Sequence, residues 1–229
     1  VLVLSRTRRP EPWPRARRLG PRRAHGWGPM ANVPLPSHLP GRSAVKPCQS
    51  GHMKLGARGL GGSEVTFEPM RRRHLPAVIR IEHNAHPKAW SIGVFNSEIS
   101  QPEGSRYYVV ARSGGKVAGY GGLMFVADEA HVTNVAVAPS LRRQGVGTLL
   151  LAHLAREATR RGCTAITLEV RVGNVGAQEL YKKFGFTAAG VRRNYYPETK
   201  EDALIMWLYN LRSPQVQSRI SQLESQAHA

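Results

Sequence analysis

The chain has 229 residues, with 33 Lys/Arg against 15 Asp/Glu and a formal charge of +18, a length that suits one domain plus extensions. It contains no apolar run of membrane-spanning length. Its two cysteines, Cys48 and Cys163, exclude a disulfide framework and point to a reducing compartment, and no Cys/His cluster has zinc spacing.

So large a positive charge first suggests nucleic acid, but its distribution argues otherwise. Residues 1–62 hold 12 Lys/Arg and one acid, Glu11, for a charge of +11, and residues 63–229 carry the remaining +7. Much of the excess therefore lies in a leading segment that also holds nine of the sixteen prolines before residue 48. That 1–62 extension shows no sustained apolar period and is expected to be disordered. Val1–Leu4 is too short for a signal sequence core, and Arg8-Arg9 lacks a following apolar run. The prolines oppose an amphipathic transit helix. An over-extended reading frame, with Met30 or Met53 as the start, accounts for the extension most simply, with an RNA- or ribosome-attracting arm as the alternative. Neither nucleic acid nor membrane is expected as a partner of the domain itself, and the expected location is cytoplasmic.

In chain order, Glu64–Pro69 reads as a strand and Arg71–His83 as a helix, with Leu75, Val78, Ile79 and Glu82 at helical spacing. Ser91–Ile99 is a second helical stretch, expected over the mouth of a site. Arg106–Arg112 and Val117–Phe125 read as strands joined at Gly114-Gly115, a hairpin signal. His131–Val137 alternates as a half-buried strand does. The helix that follows places Val146, Leu149, Leu150, His153, Leu154 and Ala158 on one face and stops at Gly162. Ala165–Val170 is a near-continuous apolar strand, Gly176–Phe184 a helix ended by Gly185. Phe186–Arg193 and Ala203–Leu211 form a last hairpin. The expected fold is α/β, a mixed and mostly antiparallel sheet with helices on both faces, spanning 63–211. Residues 212–229 read as a polar tail in which Val216, Ile220 and Leu223 make one amphipathic turn or two.

Between strand and helix stands Arg142-Arg143-Gln144-Gly145-Val146-Gly147. A glycine turn at a helix start leaves backbone N–H groups unpaired, and together with the helix dipole these attract an anion. A Walker loop needs lysine after the last glycine, and Thr148 stands there. A dinucleotide turn needs a third glycine, and Leu150 stands there. What remains is Arg/Gln-x-x-Gly-x-Gly/Ala, either a structural helix start or a pyrophosphate cradle.

The downstream sequence carries Leu168-Glu169-Val170-Arg171-Val172-Gly173-Asn174, then Glu179-Leu180-Tyr181-Lys182-Lys183-Phe184-Gly185-Phe186, then Arg192-Arg193-Asn194-Tyr195-Tyr196-Pro197 and Glu201-Asp202-Ala203. From about Val65 to Leu208 this resembles the GNAT N-acetyltransferases, in their N-terminal acetyltransferase branch and more narrowly the RimI type, the ribosomal-protein alanine N-acetyltransferases. One departure is Gly173, where the family usually has serine.

The resemblance implies acetyl-CoA as co-substrate, with no metal, and a set of roles. Arg142 belongs to the signature. Arg143, Gln144, Gly145, Val146, Gly147 and Thr148 would supply pyrophosphate N–H groups, while Val135, Ala136 and Val137 would offer backbone groups to the pantetheine arm and thioester carbonyl. Asn174, which from its place alone caps a helix, would also touch CoA. Glu169, an unexpected carboxylate at the end of an apolar strand, would be the general base, through water. Tyr181, which from its place alone reads as core, would protonate the departing sulfur.

Tyr195 and Tyr196 would line the peptide groove. As neighbours in a strand they should point to opposite faces, so at least one could be ordinary packing. Glu198, Glu201 and Asp202 either attract a basic peptide or form a solvated loop. Cys163, after Gly162 and with no base motif, reads as a structural thiol, so transfer should be direct, in a ternary complex. An α-amine has a pKa of about 7.7–8.0 against about 10.4 for lysine, so it is cheaper to deprotonate by about 3 kcal/mol. This favours a protein N-terminus as acceptor, and the resemblance points to the N-terminal alanine of small-subunit ribosomal protein eighteen. The alternatives are a broader GNAT acetyltransferase acting on lysine side chains or a small amine, and a non-catalytic acyl-CoA-binding module.

Overall fold

The computed structural model describes residues 57–58, 64–102 and 104–228. The expected disorder of the leading extension falls outside them, apart from Ala57–Arg58. Those two residues form a short strand, β1, paired antiparallel with β2, Glu64–Pro69. After a 3-10 turn at Arg72–His74 come α1, Leu75–Ala85, and α2, Ile92–Ile99. The expected single helix from Arg71 thus starts four residues later, with a proline in its first turn, where a missing N–H costs nothing. Strands β3, Arg106–Ser113, β4, Lys116–Val126, and β5, Glu129–Val137, form an antiparallel meander. Helix α3, Val146–Arg160, crosses to β6, Ala165–Arg171, which pairs parallel with β5. The chain closes with α4, Val175–Phe184, β7, Thr187–Tyr196, β8, Glu201–Leu208, and α5, Pro214–His228.

The strand order is β1-β2-β3-β4-β5-β6-β8-β7, and β5–β6 is the parallel pair. Alternation along the strands feeds two cores. Val109, Ala111, Ala118 and Leu123 point into one with α3, α4 and α5. Tyr108, Val110 and Tyr120 point into the other with α1 and α2, through Leu75, Val78, Ile81 and Phe95. The sheet is therefore mixed, mostly antiparallel, and covered on both faces.

The polar end of the chain departs from expectation. In place of one or two turns, α5 is fifteen residues long, with Val216 and Ile220 in the core. The reason lies on α3, where Leu151, Ala152 and Ala155, off the stripe read from the sequence, are as buried as the stripe itself. A helix apolar on more than one side needs a second cover, and α5 supplies it. Arg156 of α3 holds α5 by donating to Gln217, Ser221 and Glu224 at 2.7–2.8 Å. Ile220→Ala should accordingly cost about 2–5 kcal/mol, measured by urea unfolding. A cost below about 0.5 kcal/mol, the scale of a surface change, would mean that α5 is not part of the core.

Candidate active site

The sheet opens at its centre. β5 and β6 pair only at Glu129–His131 with Ala165–Thr167. The cause is one residue. Between Gly122/Leu123 of β4 and Asn134/Val132 of β5 the register shifts, and Thr133 is the extra residue. A bulge of this kind bends the strand that carries it. Gly122 makes room for it, because a Cβ there would meet the Tyr108 ring and lie 2.6 Å from the Thr133 hydroxyl. The regular alternation expected of His131–Val137 is thus broken. Val132 packs on the α3 side, and so do Val135 and Val137, while Ala136 faces α1. Val135–Val137 pair with β4 along one edge and not with β6 along the other, which leaves an edge of backbone donors and acceptors open to a groove.

At the end of that groove, Arg143 (φ 63°) and Gly145 (φ 80°) both take left-handed backbone angles, and Gly145 caps α3 without a side-chain bond. The first helical bond shown there runs from Leu149 N–H to the Gly145 carbonyl, so the N–H groups of Val146, Gly147 and Thr148 have no partner within the helix. Gly147 nestles between Val137 and Leu180, each 3.6–3.7 Å from its missing Cβ. This turn fits a pyrophosphate by its donors and by its lack of side-chain bulk. The Arg142 guanidinium donates to the carbonyls of Val137 (3.3 Å) and Asn84 (3.2 Å), bracing β5 against α1. Gln144 donates to the Ser140 carbonyl.

Across the groove, Glu169 of β6 is half-buried. Burial raises its pKa above the usual carboxylate value, and Arg192, 3.4 Å away, opposes that rise. The two act on the same proton in opposite directions, and burial wins because Arg192 is itself one-third exposed and screened by solvent. Tyr181 of α4 is buried against Phe186, their ring centroids 5.7 Å apart, and burial pushes its hydroxyl up to about 12. Asn174 caps α4, its side chain accepting from Ala177 N–H at 3.2 Å.

Tyr195 and Tyr196 do not point to opposite faces. Their rings meet edge-on at 5.0 Å. β7 is irregular between Arg192 and Tyr196, and Asn194 turns left-handed (φ 51°), its N–H bound to Asp202. The alternation is thereby lost and both rings turn inward. Burial raises both pKa values, and the nearby Glu169 charge raises them further. Tyr196 also feels Tyr181. Glu169, Tyr181, Tyr195 and Tyr196 therefore share one site.

Three contributors had no site role assigned from the sequence. Arg192 pairs with Glu169 and lies over the Tyr195 ring. Arg171 stacks 3.7 Å from the Tyr196 ring centre and binds Glu198 and Glu201. Both acids, like Asp202, are thus engaged in shaping the hairpin. Glu201 also reaches over Gly173, its carboxylate oxygen lying 2.6 Å from where a Cβ would stand. Buried Glu82 accepts from Trp90 N–H at 3.0 Å and from the Tyr120 hydroxyl, which pins the α1–α2 loop. Both arginines stand inside motifs already quoted, and Glu82 is the one charge on an apolar helix stripe. Cys163 is buried and burial pushes its thiol pKa up, which suits a structural thiol. Among the described residues no group of three or more His, Cys, Asp or Glu is placed to hold a metal, and no helix is long and apolar enough to cross a membrane.

A family profile described as the Acetyltransferase (GNAT) family matches residues 75–186. The [ribosomal protein bS18]-alanine N-acetyltransferase of Escherichia coli K12 is 42% identical over 146 residues, 62% of this chain and 96% of that protein. The chain belongs to the GNAT acetyltransferase family. A putative [ribosomal protein bS18]-alanine N-acetyltransferase of Bacillus subtilis is 37% identical to this GNAT enzyme over 139 residues, covering 61% of it and 91% of the relative. The crystal structure of the ribosomal-protein-S18-alanine N-acetyltransferase from Escherichia coli superposes with a TM-score of 0.59 at 40% identity, over 64% of this chain and 94% of that one. The GNAT member described here is thus an N-acetyltransferase of the RimI type that uses acetyl-CoA.

Proposed function

We propose that this enzyme acetylates a protein N-terminal α-amine, and that its acceptor is the N-terminal alanine of small-subunit ribosomal protein eighteen. The relatives carry that acceptor in their names. The observation that carries the reading is the inward pair Tyr195–Tyr196 beside Glu169, an aromatic wall suited to an extended peptide end. A ribosomal acceptor places the reaction in the cytoplasm.

Acetyl-CoA supplies an activated acetyl group. The α3 backbone amides of Val146, Gly147 and Thr148, with the turn from Arg143 to Gly145, hold its pyrophosphate, and the open edge at Val135, Ala136 and Val137 aligns its arm. Asn174, already committed to the α4 cap, presents its remaining polar atoms to the same groove. Glu169 accepts the ammonium proton, through water, so that the amine is neutral when it attacks. Tyr181 keeps a proton for the departing sulfur. Transfer is direct, because the buried Cys163 offers no accessible nucleophile. A single weak base matches an α-amine, which is about 3 kcal/mol easier to deprotonate than lysine.

The deciding assay is a peptide array in which free N-termini are compared with blocked N-termini carrying lysine. Label on free alanine ends alone is the expected result, and equal label on internal lysines would replace the N-terminal reading with a broader one.

A further inference from the structure

Helix α5 lies beyond the residues that the family profile matches, yet it reaches the groove. It runs antiparallel along α3. Near its start Gln217 donates to Thr159, at the C-terminal end of α3. In its middle, Arg156 of α3 binds Gln217, Ser221 and Glu224. In its last turn Ala227 packs on Gly145, whose missing Cβ would lie 2.8 Å from the Ala227 carbonyl oxygen and 3.2 Å from its Cβ. Gly145 is thus required twice, by its left-handed backbone and by this contact. α5 touches the second glycine turn of the site as well. Arg219 lies directly over Gly185, which ends α4, the helix of Tyr181.

A turn in which the non-glycine Arg143 takes a left-handed backbone carries strain that the surrounding packing must hold. It presents its donors well only where packing holds it. Arg142 braces one side of it through Val137 and Asn84, and α5 closes the other.

We propose that α5 is a positioning element for acetyl-CoA: its last turn props the Arg143–Gly145 turn in the shape that presents the α3 N–H groups, so that cofactor affinity depends on how firmly α5 is docked. The inference rests on the assignment of Arg143–Thr148 as the pyrophosphate cradle. Arg156 is the remote handle, eleven residues past Gly145 and roughly 16 Å along the α3 axis, and its side chain is spent on Gln217, Ser221 and Glu224 of α5.

In the intact protein, Arg156→Ala should raise the KM for acetyl-CoA about fivefold or more, the lower end of ordinary coupling between sites, with kcat and the peptide KM nearly unchanged. Arg156→Lys, which keeps the charge for Glu224, should restore part of it. Linkage requires the reciprocal effect, so CoA binding should slow hydrogen exchange of the α5 amides in the unsubstituted enzyme. An unchanged or lowered KM in Arg156→Ala, or α5 exchange that ignores CoA while residues 146–148 become protected, overturns the role of α5. If residues 146–148 are themselves unprotected by CoA, the cradle assignment fails first and takes the α5 role with it. The exchange arm needs no substitution, so it decides the matter even if Arg156→Ala does not fold.

Discussion

Glu169→Gln should lower kcat at neutral pH by about 10²–10⁴-fold, the usual contribution of a positioned general base, with little change in acetyl-CoA affinity. Glutamine keeps the size and polarity of the side chain but cannot take a proton. Burial has raised the carboxyl pKa, with Arg192 pulling it back. A raised pKa makes a better base, and it also sets where the base fails. Glu169 works only when ionised, so activity falls as pH drops through its folded pKa. The acid limb of the kcat/KM profile should therefore lie above the ordinary carboxylate value, and Arg192→Ala should move it higher still. Steady-state rates across pH for the three proteins test this, and unaltered turnover in Glu169→Gln would remove Glu169 from the chemistry.

Tyr181→Phe should have the second largest effect, a fall in kcat of about 10- to 100-fold. The smaller figure follows from the hydroxyl pKa, pushed up to about 12 by burial. A thiol sits near 8.5, so complete transfer from such a phenol to a thiolate is uphill by about 5 kcal/mol. The hydroxyl acts chiefly by donating a hydrogen bond as charge gathers on sulfur. A hydrogen bond to a charged group contributes about 1.5–3 kcal/mol, which sets the range. A group titrating near 12 is protonated throughout the assay range, so Tyr181 contributes no alkaline limb below that point. The phenylalanine variant should show the original pH profile at reduced height. A change in profile shape, or full activity, would contradict a donor role.

Much of this site could be read from the chain because it rests on local backbone requirements. Gly145 marks a turn where a side chain is forbidden, Gly147 follows it in the first turn of a helix, Glu169 is a charge in an apolar strand, and Asn174 stands where a helix begins. The paired tyrosines were harder. Period-two alternation sends neighbours apart, and only the left-handed Asn194, held by Asp202 eight residues on, turns them together. The Thr133 bulge was equally hidden, since it depends on Gly122 of another strand. The cover on α3 had a faint signal in Leu151, Ala152 and Ala155, overshadowed by the polar surface of α5. Arg192 and Arg171 look like ordinary surface cations until the β6–β8–β7 register sets them beside Glu169 and Tyr196.

The bulge at Thr133 divides the labour of the protein as well as its sheet. On one bank of the groove, the proposed cofactor contacts are almost wholly main-chain groups of β5 and α3, which are the same for any side chain that permits the shape. On the other bank, the proposed acceptor contacts are side chains, Tyr195, Tyr196 and Arg192 of β7 with Arg171 of β6. Under the proposed assignment, the cofactor half of the enzyme is insulated from drift in the acceptor half. A lineage could exchange one hairpin for another, and acquire a new acceptor, without rebuilding its source of acetyl groups.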